Sequence, residues 1–508
     1  MTKGGGTIIK GGSQARCDQT GRCRSRIRTQ GAIALAAALL SSCAVGPSFK
    51  QPAAPPVDHY TAQSLPPQTA SAPTLDGAPQ RFLPGQDVPA DWWKVFGSPA
   101  LDALVAQALK QNPTVEAARA ALRQADELTA AQRGALFPAL QAGYSVSREK
   151  NPVGTLAPTL SSGAELFTLH TAQLSISYLL DVFGLNRRQL ESQQALADAQ
   201  RFELEAAYLT LTSNVVAAAV QEAALRAQID ATNAILSSER ESVQILKRQY
   251  QLGSVAMTDV MAQESLLAAT EATLPGLEKQ LAAERHLLAV LAGRFPGEGL
   301  AERFELAGLT LPRDLPVSLP SRLVRQRPDV LAAEAQLHAA SAQVGIAIAD
   351  MLPQVTLTGA AGGASTTIGS LFAAGNTFWT AGASLSQALF EGGALRHRER
   401  AARAALDQAG AQYRSVVLAA CQQVADTLRA LELDADAVAA NARATQAAGD
   451  TLAATRRNVE LGSSSYLALL SAEQAYQQAM LNLAQARANR LADTAALFQA
   501  LGGGWWNR

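Results

Sequence analysis

The chain contains one pattern twice. Asn112-Pro113-Thr114-Val115-Glu116-Ala117-Ala118 recurs as Arg327-Pro328-Asp329-Val330-Leu331-Ala332-Ala333, and Phe137-Pro138 recurs as Leu352-Pro353, both 215 residues on. Leu252-Gly253-Ser254 recurs as Leu461-Gly462-Ser463, Glu264 as Glu473 and Gly293 as Gly502, all 209 residues on. Two constant offsets separated by one change of length mark a duplicated structural unit. Whatever one half folds into, the other must repeat. The change of length falls between Pro138 and the next helix.

That stretch also changes period. In 139–147, Leu140, Ala142, Tyr144 and Val146 alternate with Gln141, Gly143, Ser145 and Ser147. In 171–178, Ala172, Leu174, Ile176 and Tyr178 alternate with Thr171, Gln173, Ser175 and Ser177. The second half follows with Val355 and Leu357, then with Ala381, Ala383 and Leu385, set among threonine, serine and glycine. Period two predicts strands, at about 138–147, 168–181, 353–361 and 378–390. Each half thus carries one hairpin whose strands have the length of a tilted membrane strand.

Long helical runs follow the hairpins, from Asn186 to Leu252 and from Ala394 to Leu461. At about 1.5 Å per residue each is on the order of 100 Å long. Gly253 and Gly462 stop them, as glycine does just past a helix end. Return helices run on to Gly293 and Gly502. Alanine dominates the 48% apolar content and aromatics are only 5%, a composition suited to closely packed helices rather than a thick globular core.

The N-terminal end reads as an address. Arg22, Arg24, Arg26 and Arg28 precede nine apolar residues, Ala32 to Leu40. A membrane-spanning helix needs about 20, so residues 1–42 predict a signal peptide. Leu40-Ser41-Ser42-Cys43 resembles the lipobox of bacterial lipoproteins. That resemblance implies cleavage before Cys43 and covalent lipid on its sulfur; residue 44 is Ala, not the Asp that often signals inner-membrane retention. Residues 43–97 predict a lipid-anchored, Pro-rich linker with little structure of its own. Ser98 as N-cap and Pro99 as the first helical residue then open the first repeat, 98–310; the second spans 311–508.

Charge and chemistry exclude several classes. The whole chain is formally neutral, but residues 1–42 hold seven basic side chains and one acid, leaving 36 basic against 42 acidic residues beyond them. A nucleic-acid partner would want a basic surface. Of four cysteines, Cys17 and Cys23 lie in the leader and Cys43 at the lipidation site, leaving Cys421 without an internal partner. The five histidines are scattered, without metal-ligand spacing. No nucleophile–base constellation points to an enzyme, and no cofactor is expected beyond the lipid on Cys43.

Four strands leave two open edges, and open edges are not tolerated in lipid. A closed barrel needs about eight strands or more, so the chain must oligomerise. The strand count alone leaves two, three or four copies open.

One set of motifs resolves this by resemblance: the lipobox, Val45-Gly46-Pro47, Trp92-Trp93 with Phe96, Asn112-Pro113, Asp181-Val182-Phe183-Gly184, Arg327-Pro328-Asp329, Leu389-Phe390-Glu391-Gly392-Gly393 and Gly502-Gly503-Gly504-Trp505. Together they resemble the TolC-like outer-membrane factors, in particular the efflux outer-membrane lipoproteins of the NodT type. The resemblance implies a mainly α protein with a transmembrane β-barrel. A homotrimer would form a 12-stranded β-barrel on an α-helical barrel that reaches through the periplasm. Its partners would be further copies of itself, outer-membrane lipid, a periplasmic adaptor protein and an inner-membrane efflux pump. It would be a passive exit duct for substrates the pump delivers. A protein-secretion conduit, or a lipid-anchored coiled-coil scaffold without a pore, remains as an alternative; two lipid-length hairpins argue against the scaffold.

By the same resemblance the turns Gln251 to Asp259 and Glu460 to Ser471 form the periplasmic tip. Gly253, Ser254, Asp259, Gly462, Ser463, Leu467 and Ser471 are the expected docking residues. In the family, rings of Asp near the tip narrow the pore; Ser471 stands at one such place. Glu264 and Glu473 are the possible gate acids, although the plainer expectation for both is a solvated helix face. Asp259 falls in a first helical turn, where a carboxylate stabilises the helix start.

Overall fold

The computed structural model describes residues 44–150 and 166–507. Cys43 and the leader lie outside the described residues. The chain divides into two compact units.

The first unit holds the hairpins. Strands β2 (Ala139–Lys150), β3 (Leu166–Leu180), β5 (Gln354–Ser365) and β6 (Thr377–Ser386) form one antiparallel sheet in that order. The two repeats meet at β3 and β5, where Leu174 opposes Ala361 and Tyr178 opposes Leu357. The register carries the alternation across the sheet. Leu140 lies opposite Ile176, Ala142 opposite Leu174, Leu357 opposite Ala383 and Val355 opposite Leu385. One face is therefore apolar and the other is lined by Ser145, Gln173, Thr358 and Ser384. The apolar face is bare: Leu140, Leu174, Trp379 and Leu385 are 69%, 53%, 78% and 71% exposed. Among the described residues neither the β2 edge nor the β6 edge has a partner strand. Strand β6 ends at Ser386, short of the expected bound of about 390; Leu389 and Phe390 follow it. Those two side chains are about nine-tenths exposed, and the chain turns after them at Gly392 and Gly393 into a helix.

The second unit is helical and shows the duplication directly. Helix α1 (Pro99–Gln111) starts where Ser98 Oγ accepts from the Leu101 N–H. Helix α2 (Pro113–Gly134) starts where Asn112 accepts from the Thr114 N–H. Then come α3 (Leu185–Gln251), α4 (Met257–Leu291), α5 (Pro320–Gln326), α6 (Pro328–Ala349), α7 (Ala394–Glu460) and α8 (Tyr466–Ala500). Helices α2 and α6 each have 22 residues, α3 and α7 each 67, and α4 and α8 each 35. The core gathers Trp92, Phe96, Leu101 and Leu104 against Val215, Leu497 and Phe498. Trp92 stacks on Phe498 with ring centroids 5.4 Å apart.

The segment before α1 is not the loose linker its composition suggests. Strand β1 (Arg81–Pro84) pairs in parallel with β4 (Asp314–Val317). Arg490, fully buried, donates to Thr69 Oγ1, Gln80 Oε1 and the carbonyls of Asp76 and Ala78 at 2.9–3.2 Å. Arg487 pairs with Asp76 at 3.0 Å. Proline and alanine give no periodic signal; this segment is held by two of its carbonyls together with Thr69, Asp76 and Gln80, single polar residues that form no pattern.

Candidate functional site

The two helix turns superpose as chemistry. The Ser254 N–H donates to the Gln249 carbonyl and the Gly253 N–H to the Tyr250 carbonyl; in the second repeat Ser463 donates to Asn458 and Gly462 to Val459. This is the paired bond pattern of a Schellman ending. Gly253 and Gly462 both have φ +73°, and no described atom lies within 4 Å of a Cβ added to either. Glycine is required there for its left-handed backbone, not for space. Ser254 and Ser463 each turn the hydroxyl back to the same carbonyl that accepts the backbone N–H.

The restarts of the two return helices differ. Asp259 reaches back to accept from the Ala256 N–H at 3.2 Å. In the second repeat the N-cap Ser465 reaches forward to accept from the Ala468 N–H at 3.3 Å. Each repeat keeps one half of a reciprocal cap. Ser471 donates to the Leu467 carbonyl within its own helix and contributes no charge. Around these turns the side chains are bare: Leu252 is 79% exposed, Leu461 81% and Leu467 69%. Leu252 and Leu461 were visible in the sequence as part of the repeat but gave no sign of a surface role, since a leucine at a helix end is ordinarily packed.

Behind the turns sits a duplicated ion pair. Lys247 meets Glu264 at 2.7 Å with both side chains about half exposed. The equivalent residues 209 positions on, Arg456 and Glu473, meet at 3.4 Å. Glu473 is only 5% exposed, which corrects the expectation of a solvated face. Gln263 of α4 donates to its other oxygen at 3.5 Å, and Arg456 also reaches Ser238 Oγ of α3 at 2.8 Å. Helices of the first repeat cover Glu473, whereas Glu264 stays at the surface. Nearby, Glu239 of α3 is 1% exposed; Thr270 donates to its Oε1 at 3.1 Å. Burial pushes the Glu239 carboxyl above its ordinary range, and the charges of Glu473 and Glu271 add to this against the Thr270 bond. Tyr466, at the start of α8, donates to Gln249 Oε1 of α3 at 2.8 Å. Among the described residues no group of His, Cys, Asp and Glu is arranged to hold a metal ion.

Residues 104–294 and 319–503 match the family described as outer membrane efflux protein, one segment in each repeat. The chain belongs to this family. The nodulation protein T of Rhizobium leguminosarum bv. trifolii is 29% identical over 475 residues, 92% of this chain and 96% of that protein. The pyoverdine export outer membrane protein OpmQ of Pseudomonas putida is 31% identical over 443 residues, 87% and 92% of the two. The outer-membrane channel OprN matches with a TM-score of 0.81 at 29% identity, over 91% of this chain and all of that one. This outer membrane efflux protein is a TolC-like channel of the NodT type, a transport component of the outer membrane. Its turns and ion pairs have therefore to be read as mechanics, not catalysis.

Proposed function

We propose that three copies of this efflux channel close one duct. The sheets join edge to edge into a twelve-stranded barrel in the outer membrane, and the long helices form a second barrel in the periplasm. Lipid on Cys43 anchors each chain. The turns around Gly253, Ser254, Asp259, Gly462, Ser463, Leu467 and Ser471 are the tip that docks on a periplasmic adaptor, which couples the duct to an inner-membrane pump. Glu264 and Glu473, with their basic partners, brace the helices just behind that tip. The observation that carries this reading is the four-stranded sheet, with two edges unpaired among the described residues and one bare apolar face. Such a sheet can exist in lipid only when its edges are closed.

The test is native mass spectrometry of the detergent-solubilised protein. A single closed trimer is expected. A monomer that keeps its full strand content would sink the reading, because its edges would be open.

A further inference from the structure

Glu239 and Glu473 line a cavity of about 240 Å³ inside the helical unit. Both carboxylates are more than nine-tenths buried. Glu239 spends Oε1 on Thr270, and among the described residues nothing reaches its buried Oε2. One cation, Arg456, faces the two carboxylates, and it sits against Glu473. Glu271 of α4, the remaining acid near Glu239, is already paired with Arg240 at 2.8 Å. With both carboxylates ionised the cavity is one positive charge short. The rest of its wall is Ser238, whose Oγ accepts from Arg456, and a larger apolar part: Ala234, Ile235, Leu452, Met480 and the ring of Tyr476.

We propose that this cavity is a binding site for a small organic ammonium ion, its charged head on Glu239 Oε2 and its apolar body against Ile235, Leu452, Met480 and Tyr476. A bare metal ion would find too few oxygens and too much hydrocarbon there. An ammonium head satisfies the orphaned oxygen and the missing charge together, and the Tyr476 ring offers a further face to a cation. The site occurs once per chain, because the second repeat has Ala448 where the first has Glu239. Burial, with the charges of Glu473 and Glu271, raises the Glu239 carboxyl above its ordinary range against the Thr270 bond, so a proton competes with the ammonium for Oε2 as pH falls. Where Glu239 is protonated, the O–H bond breaks on binding, the proton goes to buffer, and the ammonium takes its place; where it is ionised, the ammonium adds directly. The inference goes beyond the channel reading and is tested by binding alone, so its failure leaves export untouched.

The probe is benzylammonium, titrated calorimetrically into the full protein in detergent, with benzyl alcohol as the uncharged control. Saturable binding of benzylammonium is expected, with at least about tenfold weakening as pH falls and Glu239 becomes protonated. Benzyl alcohol should not saturate. Glu239→Gln keeps the bond from Thr270 and should weaken benzylammonium at least about tenfold. Should that variant lose its helical signal, Ala234→Leu, on the exposed rim of the cavity, serves in its place and should also weaken binding. Equal binding of the alcohol, equal binding by both variants, or no saturable binding to the wild type overturns the proposal.

Discussion

The two ion pairs behind the helix turns descend from one pattern and do different things. Lys247–Glu264 is the shorter contact, yet it lies in water, where a charge pair gains little over hydration and loses side-chain freedom. Arg456–Glu473 is longer, but Glu473 has given up its hydration and depends on Arg456 and Gln263 for compensation. The stronger-looking distance thus belongs to the weaker interaction. Duplication supplied the same residues twice, and packing by the other repeat made one of them structural.

Breaking each pair sharpens that contrast, and gives the largest effect. Arg456→Ala should cost about 2 kcal/mol, measured as thermal unfolding of the helical signal in detergent, because it strands a buried carboxylate whose partner was itself only half covered. Lys247→Ala should cost no more than about 0.5 kcal/mol. Equal losses would mean that burial does not separate the two.

The glycines come next, and there the repeats should behave alike. Val forced to φ +73° at Gly462 or Gly253 should cost about 1–2 kcal/mol, with no clash to add to it. Both variants should assemble as the wild type does, and both should impair export measured as intracellular accumulation of a dye. Export at the wild-type level from a folded Gly462→Val channel would remove the turn from the docking surface.

Smallest are the caps. Ser465→Ala should cost about 1 kcal/mol and Asp259→Ala about half of that, since the serine is an N-cap and the aspartate only the returning half of the box. Restoring the missing half by Ala256→Ser should stabilise the first repeat by a similar amount, again read by thermal unfolding.

Much of the fold could be read from the chain. Fixed offsets announced the duplication that the helix lengths display, and alternation at Leu140 to Val146 and at Ala172 to Tyr178 marked strands and their apolar face. What escaped depends on contacts between distant segments. The burial of Glu473 follows from Gln263 lying across it, and Gln263 stands where the second repeat has Ala472. The clamp of Arg490 on residues 69–80 joins the carbonyls of Asp76 and Ala78 to the side chains of Thr69 and Gln80, far away in the chain. Glu239 lacked any pattern at all; only the cavity and the orphaned oxygen single it out.

The claim on which the rest stands is that the β2 edge of one chain meets the β6 edge of the next. Ser145→Cys in β2 and Ser384→Cys in β6 place thiols on the polar face near the two edges, in a background carrying Cys421→Ser to remove the free half-buried thiol. A flexible thiol-specific crosslinker applied to outer membranes should then give bands of one, two and three chains and nothing larger. Crosslinks confined to single chains, or a ladder that runs past three, would contradict edge-to-edge closure of three copies.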